Sequence, residues 1–175
     1  RQAGMRLLLI DMTTDIGVPA FLAVIIPGNL SDRVDARWAQ VCGGCGCHPD
    51  PVRAALRAIT EAAQSRLTAI AGSRDDFSPR IYQRIDRSAG MRQVVDLCNN
   101  DAVLKPFPMR RQRPTTIQDT IRHIAGRLRV AGITQIIAVP LSHPTLPVSV
   151  VRVIVPGLEV DISGQYIQLG LRAVN

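Results

Sequence analysis

The chain has 175 residues, of which 46% are hydrophobic and 20% charged, a balance that excludes a disordered chain and suits a folded globular one. Its net charge is +7, and only Lys105 of its 21 basic residues is a lysine. Arginine pairs with carboxylates and phosphates, so the charge is compatible with an anionic ligand and equally with solvated arginine faces. Aromatic residues make up only 3%, too few to stack nucleic-acid bases, so we expect no nucleic-acid partner.

The first part of the chain predicts two strands followed by a loop. Residues 5–10 form an apolar run, and residues 18–26 are rich in β-branched side chains, as buried strands are. Neither run approaches the roughly 18 residues of a membrane span, so we expect no membrane association. Residues 42–49 read Cys-Gly-Gly-Cys-Gly-Cys-His-Pro, and this abundance of glycine predicts an irregular loop.

The strongest helix prediction begins directly after that loop. Asp50 is a good N-cap, Pro51 suits the first helical position, and Gly72 is a natural C-terminal stop. One apolar stripe at helical spacing is predicted to face the core: Val52, Ala55, Leu56, Ile59, Ala63, Leu67 and Ile70. The opposite side carries a polar face made of Arg53, Arg57, Glu61 and Gln64.

The remainder of the chain predicts further helices and strands. Residues 79–85 and 93–97 suggest short helices, and Thr116 is expected to cap a second amphipathic helix that ends at Gly132. Residues 133–139 and 148–155 predict strands. We therefore expect an α+β fold with a mixed sheet and packed amphipathic helices, forming a single domain over residues 1–175.

The polar face of the first predicted helix is the first candidate site. The Glu61 carboxylate and the Gln64 amide carbonyl, three residues apart, can both supply the oxygen ligands that Mg²⁺ prefers. Arg57 and Arg66 could hold phosphate oxygens in a bidentate manner. The same spacing also fits an ordinary solvated face with an Arg57–Glu61 ion pair worth about 0.3 kcal/mol.

Cysteine and histidine suggest a second, different site. Cys42, Cys45, Cys47 and His48 could supply zinc ligands, which would make the chain a binding module for an acidic partner. The intervening glycines equally suit a close approach of two backbones. Such tightly spaced cysteines do not suit the disulfide framework of a secreted protein, so a cytoplasmic location is expected.

Three segments in fixed order resemble the central signature of the YcaO family. They are Gly-Cys-Gly-Cys-His-Pro-Asp-Pro at 44–51, Arg-Ala-Ile-Thr-Glu-Ala-Ala-Gln-Ser-Arg at 57–66, and Ile-Ala-Gly-Ser-Arg-Asp-Asp at 70–76. Residues 11–19 resemble the segment that leads into this signature, and residues 151–159 and 170–173 resemble the family's C-terminal part. The branch that works beside TfuA-like partner proteins is the most similar.

The resemblance implies an enzyme that binds ATP and Mg²⁺ through acidic and amide side chains. Members of this family phosphorylate a backbone amide oxygen of a peptide substrate after a nucleophile has added to the carbonyl, which gives azolines or thioamides. Glu61 and Gln64 match the family's second metal-binding helix, and Arg66 and Arg74 match positions near the nucleotide. Phosphoryl transfer depends mainly on positioning and charge neutralisation, which such residues can supply.

The chain also departs from the family pattern. The first acidic helix of the family has no counterpart here, so we expect a C-terminal fragment that is inactive alone, and a non-catalytic remnant that docks a peptide is an alternative. Val52 and Arg53 stand where relatives often carry an acid. No proline-rich segment follows Glu159, which favours a thioamide over an azoline product. A homodimer is among the oligomeric states that the sequence leaves open.

Overall fold

A computed structural model of the chain describes residues 3–28, 40–72, 80, 94, 96–97, 104–108, 114–142, 145 and 147–158. The elements in chain order are β1 (Met5–Asp11), β2 (Ala20–Pro27), β3 (Cys42–Cys47), α1 (Pro51–Ala71), α2 (Ile117–Val130), β4 (Ile137–Pro140) and β5 (Val151–Ile154). The presence of both helices and antiparallel strands confirms the predicted α+β class. The chain divides into two compact units, residues 1–120 and 121–175, and a single domain over the whole chain stays a prediction.

The first unit contains a three-stranded sheet in the order β1-β2-β3. All strand pairs of the described residues are antiparallel, with Leu9 opposite Ala23 and Ala23 opposite Gly44. Because residues directly opposite each other share a face, Leu9, Ala23 and Gly44 lie on one side of the sheet. Among the strands of the described residues, β3 is an outer strand of this sheet.

Each face of the sheet is covered by its own apolar cluster. On one face, Phe21 and Ala23 pack against alanines of α1, with Leu9, Ile25 and Ile59 beside them. On the other face, Val24 and Ile26 pack with a second set of partly buried residues, which are Leu8, Ile10, Leu22, Val41 and Val94. Residues of β2 therefore alternate between two cores, as the two-residue period of a strand requires.

β3 corrects the prediction of an irregular loop, because Cys42–Cys47 is a regular strand paired along its length with β2. Its glycines are needed because α1 lies directly on it. A Cβ on Gly46 would lie 2.6 Å from the Ala58 nitrogen, and one on Gly44 would lie 2.7 Å from the Glu61 carbonyl carbon. Glycine usually weakens a strand, but here it permits the close approach of another backbone.

α1 begins and ends where the sequence predicts. The Asp50 side chain accepts a hydrogen bond from the Val52 N–H at 3.0 Å, and Pro51 is the first residue of the helix. At the other end, Gly72 adopts the left-handed conformation with φ of 58° and donates its N–H to the Thr68 carbonyl. Both ends therefore have local partners for backbone groups that the helix itself leaves unpaired.

The face that α1 buries overlaps the predicted apolar stripe only in part, at Ala55 and the partly buried Ile59. The buried residues are Pro51, Ala54, Ala55, Ala58 and Ala62. Leu56, Leu67 and Ile70, which were predicted to face the core, are 55%, 66% and 68% exposed. A helix that lies on a strand of glycines contacts it closely only through small side chains, so the alanines face the sheet and the larger residues do not.

The second unit contains the hairpin of β4 and β5, with Ile137 opposite Ile154 and Val139 opposite Arg152. Both strands are shorter than predicted, because residues 133–136 connect the end of α2 to β4 and lie outside the ladder. Ile133 is buried, and its N–H donates to the Leu128 carbonyl at 2.9 Å. Gly132, with φ of 82°, provides the left-handed turn at this helix end.

α2 confirms the second helix prediction. The Thr116 hydroxyl oxygen accepts from the Asp119 N–H at 3.0 Å, and the same hydroxyl donates to the Asp119 carboxylate at 2.7 Å. This reciprocal arrangement fixes the start of the helix. Of the predicted short helices, Arg80, Val94, Asp96 and Leu97 are described, and the last three are helical. No helix within the described residues has the length and hydropathy to cross a bilayer.

Candidate functional site

The Glu61 carboxylate lies at the edge of β3 that is turned away from β2. Its Oε2 atom accepts a hydrogen bond from the backbone N–H of Cys45 at 2.9 Å. Glu61 follows Ala58 and precedes Ala62 on α1, both of which face the strand, so its side chain extends from the flank of the contact surface. The polar face was predicted to lie opposite the core, and at Glu61 it instead borders the sheet.

Two predicted arginines also lie along β3. Arg57 is near Cys47 and His48, and its positive charge acts to lower the pKa of each side chain. Arg66 lies beside Cys42, close enough to hydrogen-bond with its thiol. The order Arg57, Glu61, Arg66 on the helix therefore matches the reversed order Cys47, Cys45, Cys42 on the strand.

The two remaining predicted site residues are Gln64 and Arg74. Gln64 is exposed and lies three positions after Glu61, which places both side chains on one flank of α1. Arg74 lies outside the described residues. α1 therefore carries Arg57, Glu61 and Gln64 on neighbouring positions of its surface, whereas Arg66, five positions after Glu61, lies on a different side of the helix.

The cysteines of β3 do not form the predicted cluster. Cys42 lies opposite Ile25 on the α1 side of the sheet, whereas Cys45 and Cys47 lie opposite Leu22 and Ala20 on the other side. Burial raises the pKa of all three thiols, and the Glu61 charge raises the pKa of Cys45 further. Within the described residues, no group of three or more His, Cys, Asp or Glu side chains could hold a metal ion. The zinc alternative therefore has no support from this part of the chain.

His48 links the end of β3 to the start of α1. Its Nδ1 atom accepts a hydrogen bond from the Asp50 N–H at 2.9 Å. Burial lowers the pKa of His48, and the nearby Arg57 and Arg53 guanidinium groups lower it further. The imidazole is therefore held in the neutral form that this acceptor role requires.

Acidification is expected to destabilise the protein through His48. The pKa of His48 is lower in the folded state than in the unfolded state, where it is about 6.5, so the unfolded state binds more protons. The free energy of unfolding should therefore fall as the pH drops from about 7 to values below the unfolded-state pKa. His48→Asn keeps a side-chain acceptor for the Asp50 N–H but does not titrate. Urea unfolding at several pH values should show a weaker pH dependence in His48→Asn, and equal slopes in both proteins would contradict this role.

The donors on α1 fit a magnesium ion by their chemistry. A carboxylate and an amide carbonyl are hard oxygen ligands, and the ion usually completes its shell with waters and substrate phosphates. Arg57 and Arg66 on the same helix are guanidinium groups, which can pair with phosphate oxygens. The thiols of β3 are soft ligands, which a magnesium ion does not prefer.

A feature that the sequence interpretation missed is the Cys45 backbone amide. It is sixteen residues from Glu61 in the chain, and no side chain marks it as a donor. The glycines at 44 and 46, alternating with cysteines, are the only signal that could have indicated it. Small residues at every second position allow a strand to accept a helix at very short distance.

The first unit is an α+β layer in which α1 carries Arg57, Glu61, Gln64 and Arg66, and the Glu61 carboxylate contacts the glycine-rich strand β3. The chain belongs to the YcaO family, since the family model described as YcaO cyclodehydratase, ATP- and Mg²⁺-binding, matches residues 1–159.

Several relatives, each named as an uncharacterized protein, are similar to this chain in sequence. A protein in the tfuA 3′ region of Rhizobium leguminosarum bv. trifolii is 79% identical over 174 residues, covering 99% of this chain and 41% of that protein. A Methanothermobacter thermautotrophicus protein is 33% identical, covering 90% and 40%, and a Mycobacterium tuberculosis protein is 37% identical, covering 86% and 35%. The chain thus spans about two fifths of the length of these curated relatives.

Two solved heterocyclase structures share the fold. One, a heterocyclase in complex with substrate and cofactor, superposes with a TM-score of 0.63 at 24% identity over 90% of this chain and 20% of its own. The other, the heterocyclase TruD, superposes with a TM-score of 0.61 at 25% identity over 89% and 20%. The YcaO resemblance found in the sequence is thereby confirmed, and the likeness to the first structure shows the fold alone.

Proposed function

We propose that this chain forms part of an ATP-dependent YcaO enzyme that activates peptide backbone amides by phosphorylation. The observation that carries the proposal is the flank of α1, where Glu61 is held at the edge of β3 and Gln64 lies three positions further on. Family membership supports it, because the matching family is described as binding ATP and Mg²⁺. The activity is proposed for the full-length protein, since the chain spans only part of its relatives.

Residues of α1, together with Arg74 further along the chain, would bind the magnesium ion and the nucleotide. Glu61 and Gln64 would hold the magnesium ion through oxygen atoms, and Arg57, Arg66 and Arg74 would hold phosphate oxygens of the nucleotide. When bound, magnesium would neutralise charge on the phosphoryl oxygens and align them for transfer. The protein contributes orientation, because the helix is fixed by caps at both ends and by backbone contact with β3.

Replacement of Glu61 by alanine tests the proposal. In the full-length protein, Glu61→Ala should weaken Mg²⁺–ATP binding at least about 100-fold and reduce peptide-dependent ATP turnover accordingly, because an anionic ligand of the metal is lost. Gln64→Ala should have a smaller effect in the same direction, because a neutral ligand is lost. Calorimetric titration with Mg²⁺–ATP measures the binding, and phosphate release measures the turnover.

Thr60→Ala is the matched control for this experiment. Thr60 is the exposed neighbour of Glu61, and its hydroxyl bonds only to carbonyl groups of its own helix turn in the described part of the chain. This variant should bind and turn over ATP as the wild type does. If Glu61→Ala behaved like Thr60→Ala, the proposed role of Glu61 would be refuted, and a non-catalytic role in peptide docking would remain.

The proposal extends to a TfuA-like partner and a thioamide product. The closely similar Rhizobium leguminosarum protein lies in a tfuA 3′ region, which supports such a partner. A peptide incubated with the full-length protein, ATP, a sulfur donor and a TfuA-like protein should gain mass by exchange of oxygen for sulfur. Loss of water instead would indicate an azoline, and product formation at an equal rate without the TfuA-like protein would argue against the partner.

A further inference from the structure

The carboxylate of Glu61 is anchored by a backbone group that projects out of the sheet. In an antiparallel pair, the N–H groups of successive residues point alternately toward the neighbouring strand and away from it. The Cys45 N–H donates to Glu61 Oε2 at 2.9 Å across sixteen residues, so it belongs to the outward-pointing set of the edge strand. By the same alternation, the N–H groups of Gly43 and Cys47 also point outward.

The short distance between the backbones of α1 and β3 determines where Glu61 stands relative to the Cys45 amide. The backbone of α1 approaches Gly44 and Gly46 so closely that a Cβ on Gly44 would meet Ala58 and Ala62 backbone atoms and the Glu61 carbonyl carbon. The position of the Glu61 backbone is therefore fixed by backbone-to-backbone contact, which does not adapt by rotation of a side chain. The hydrogen bond to Cys45 then fixes the carboxylate itself.

We infer that the Cys45 backbone amide, presented beside α1 by Gly44 and Gly46, positions the Glu61 carboxylate for the divalent cation of the nucleotide site. This inference rests on the proposed function. Groups that hydrogen-bond to a metal ligand orient it, and their removal typically lowers metal affinity about 10- to 100-fold. An anchored glutamate also has less rotamer freedom to lose when the cation binds.

Removal of this N–H by Cys45→Pro in the full-length protein tests the inference. Proline is tolerated on an edge strand where the replaced N–H points away from the sheet. The readout is the gain in ATP affinity on adding Mg²⁺, taken from calorimetric titrations with and without the ion. Cys45→Pro should reduce this gain about tenfold or more, while the affinity for ATP without Mg²⁺ stays at the wild-type value.

Two variants control for the proline and for the lost thiol. Cys45→Ala keeps the N–H and should keep the full gain. Gly43→Pro places the same ring at the next outward-pointing position, where no side chain of the described residues accepts from the N–H, and it should also keep the gain. An equal loss in Gly43→Pro and Cys45→Pro would overturn the inference, because the effect would then come from proline in the strand.

Glu61→Ala in the same titration separates the inference from the function on which it rests. If Glu61→Ala keeps the full magnesium gain, the proposed function fails. If Glu61→Ala loses the gain and Cys45→Pro keeps it, the proposed function stands and the positioning role is wrong. If both lose the gain, with the larger loss in Glu61→Ala, both are supported.

Amide hydrogen exchange provides a test that does not depend on the folding of the proline variant. In Glu61→Ala, the Cys45 amide should exchange at least about tenfold faster than in the wild type, because it loses a hydrogen bond to a charged group. The Gly43 amide should exchange at an unchanged rate. Equal exchange of the Cys45 amide in both proteins would overturn the inference, because the anchoring bond would not exist in solution.

Discussion

Gly46→Ala is expected to lower the free energy of unfolding by about 3 kcal/mol, near the upper end of the cost of overpacking. The added methyl group would overlap the Ala54 carbonyl oxygen and lie 2.6 Å from the Ala58 nitrogen. Both are backbone atoms of a helix, so neither can rotate away, and α1 would have to move off the sheet. Urea denaturation followed by circular dichroism measures the loss.

Gly43→Ala is the matched control in the same strand. A Cβ on Gly43 would lie 3.7 Å from the Leu22 Cδ1 atom, which is an ordinary van der Waals distance. Because glycine in a strand interior costs about 0.5–1 kcal/mol relative to alanine, Gly43→Ala should be neutral or slightly stabilising. A similar destabilisation in both variants would show that the close contact of α1 with Gly46 is not what makes the glycine necessary.

Ile26→Ala is expected to destabilise the protein by about 2–5 kcal/mol, the usual cost of truncating a buried aliphatic side chain. Ile26 has no exposed surface and is one of the largest fully buried side chains. It lies in the cluster on the face of the sheet opposite α1, so the variant probes the second core without touching the helix. The thermal unfolding midpoint should fall accordingly.

Leu7→Ala removes a comparable side chain from the neighbouring strand β1, where Leu7 is 51% exposed. Its cost should remain well below that of Ile26→Ala, because half of its surface already contacts water. The magnesium-dependent gain in ATP affinity should survive in the folded fraction of both variants, since Ile26 lies on the face of the sheet opposite α1 and Leu7 lies on β1, separated from β3 by β2. An Ile26→Ala protein as stable as Leu7→Ala would disprove the assignment of a second core.

The bounds of α1 were predictable because its end signals are local. Asp50, Pro51 and Gly72 act on backbone groups within four residues, and each does so in the structure. The buried face was not predictable from hydrophobicity, because the partner of the helix is a strand without side chains at Gly44 and Gly46. The small residues Ala54, Ala58 and Ala62, at spacing of four, face those glycines, whereas hydrophobicity favoured the leucines.

The sequence predicts the spacing of the candidate site residues along α1, but it does not predict their contact with β3. Glu61 and Gln64 are three residues apart on a helix, which the sequence establishes as soon as the helix is recognised. The identification of β3 failed because glycine is rare in strands, so residues 42–47 predicted a loop. With the strand unrecognised, no local pattern could place the Cys45 amide beside Glu61, since that contact depends on tertiary packing.

The bond between Glu61 and Cys45 also bears on self-association. A strand at the edge of a sheet exposes unpaired amides that can recruit a strand from another molecule, and charged side chains placed at the edge are a common defence. The Glu61 carboxylate places a negative charge beside the middle of β3 and accepts a hydrogen bond from the outward-pointing Cys45 N–H. Variants that neutralise Glu61 should therefore oligomerise or precipitate more readily than the parent, a loss of solubility that would occur without any nucleotide present.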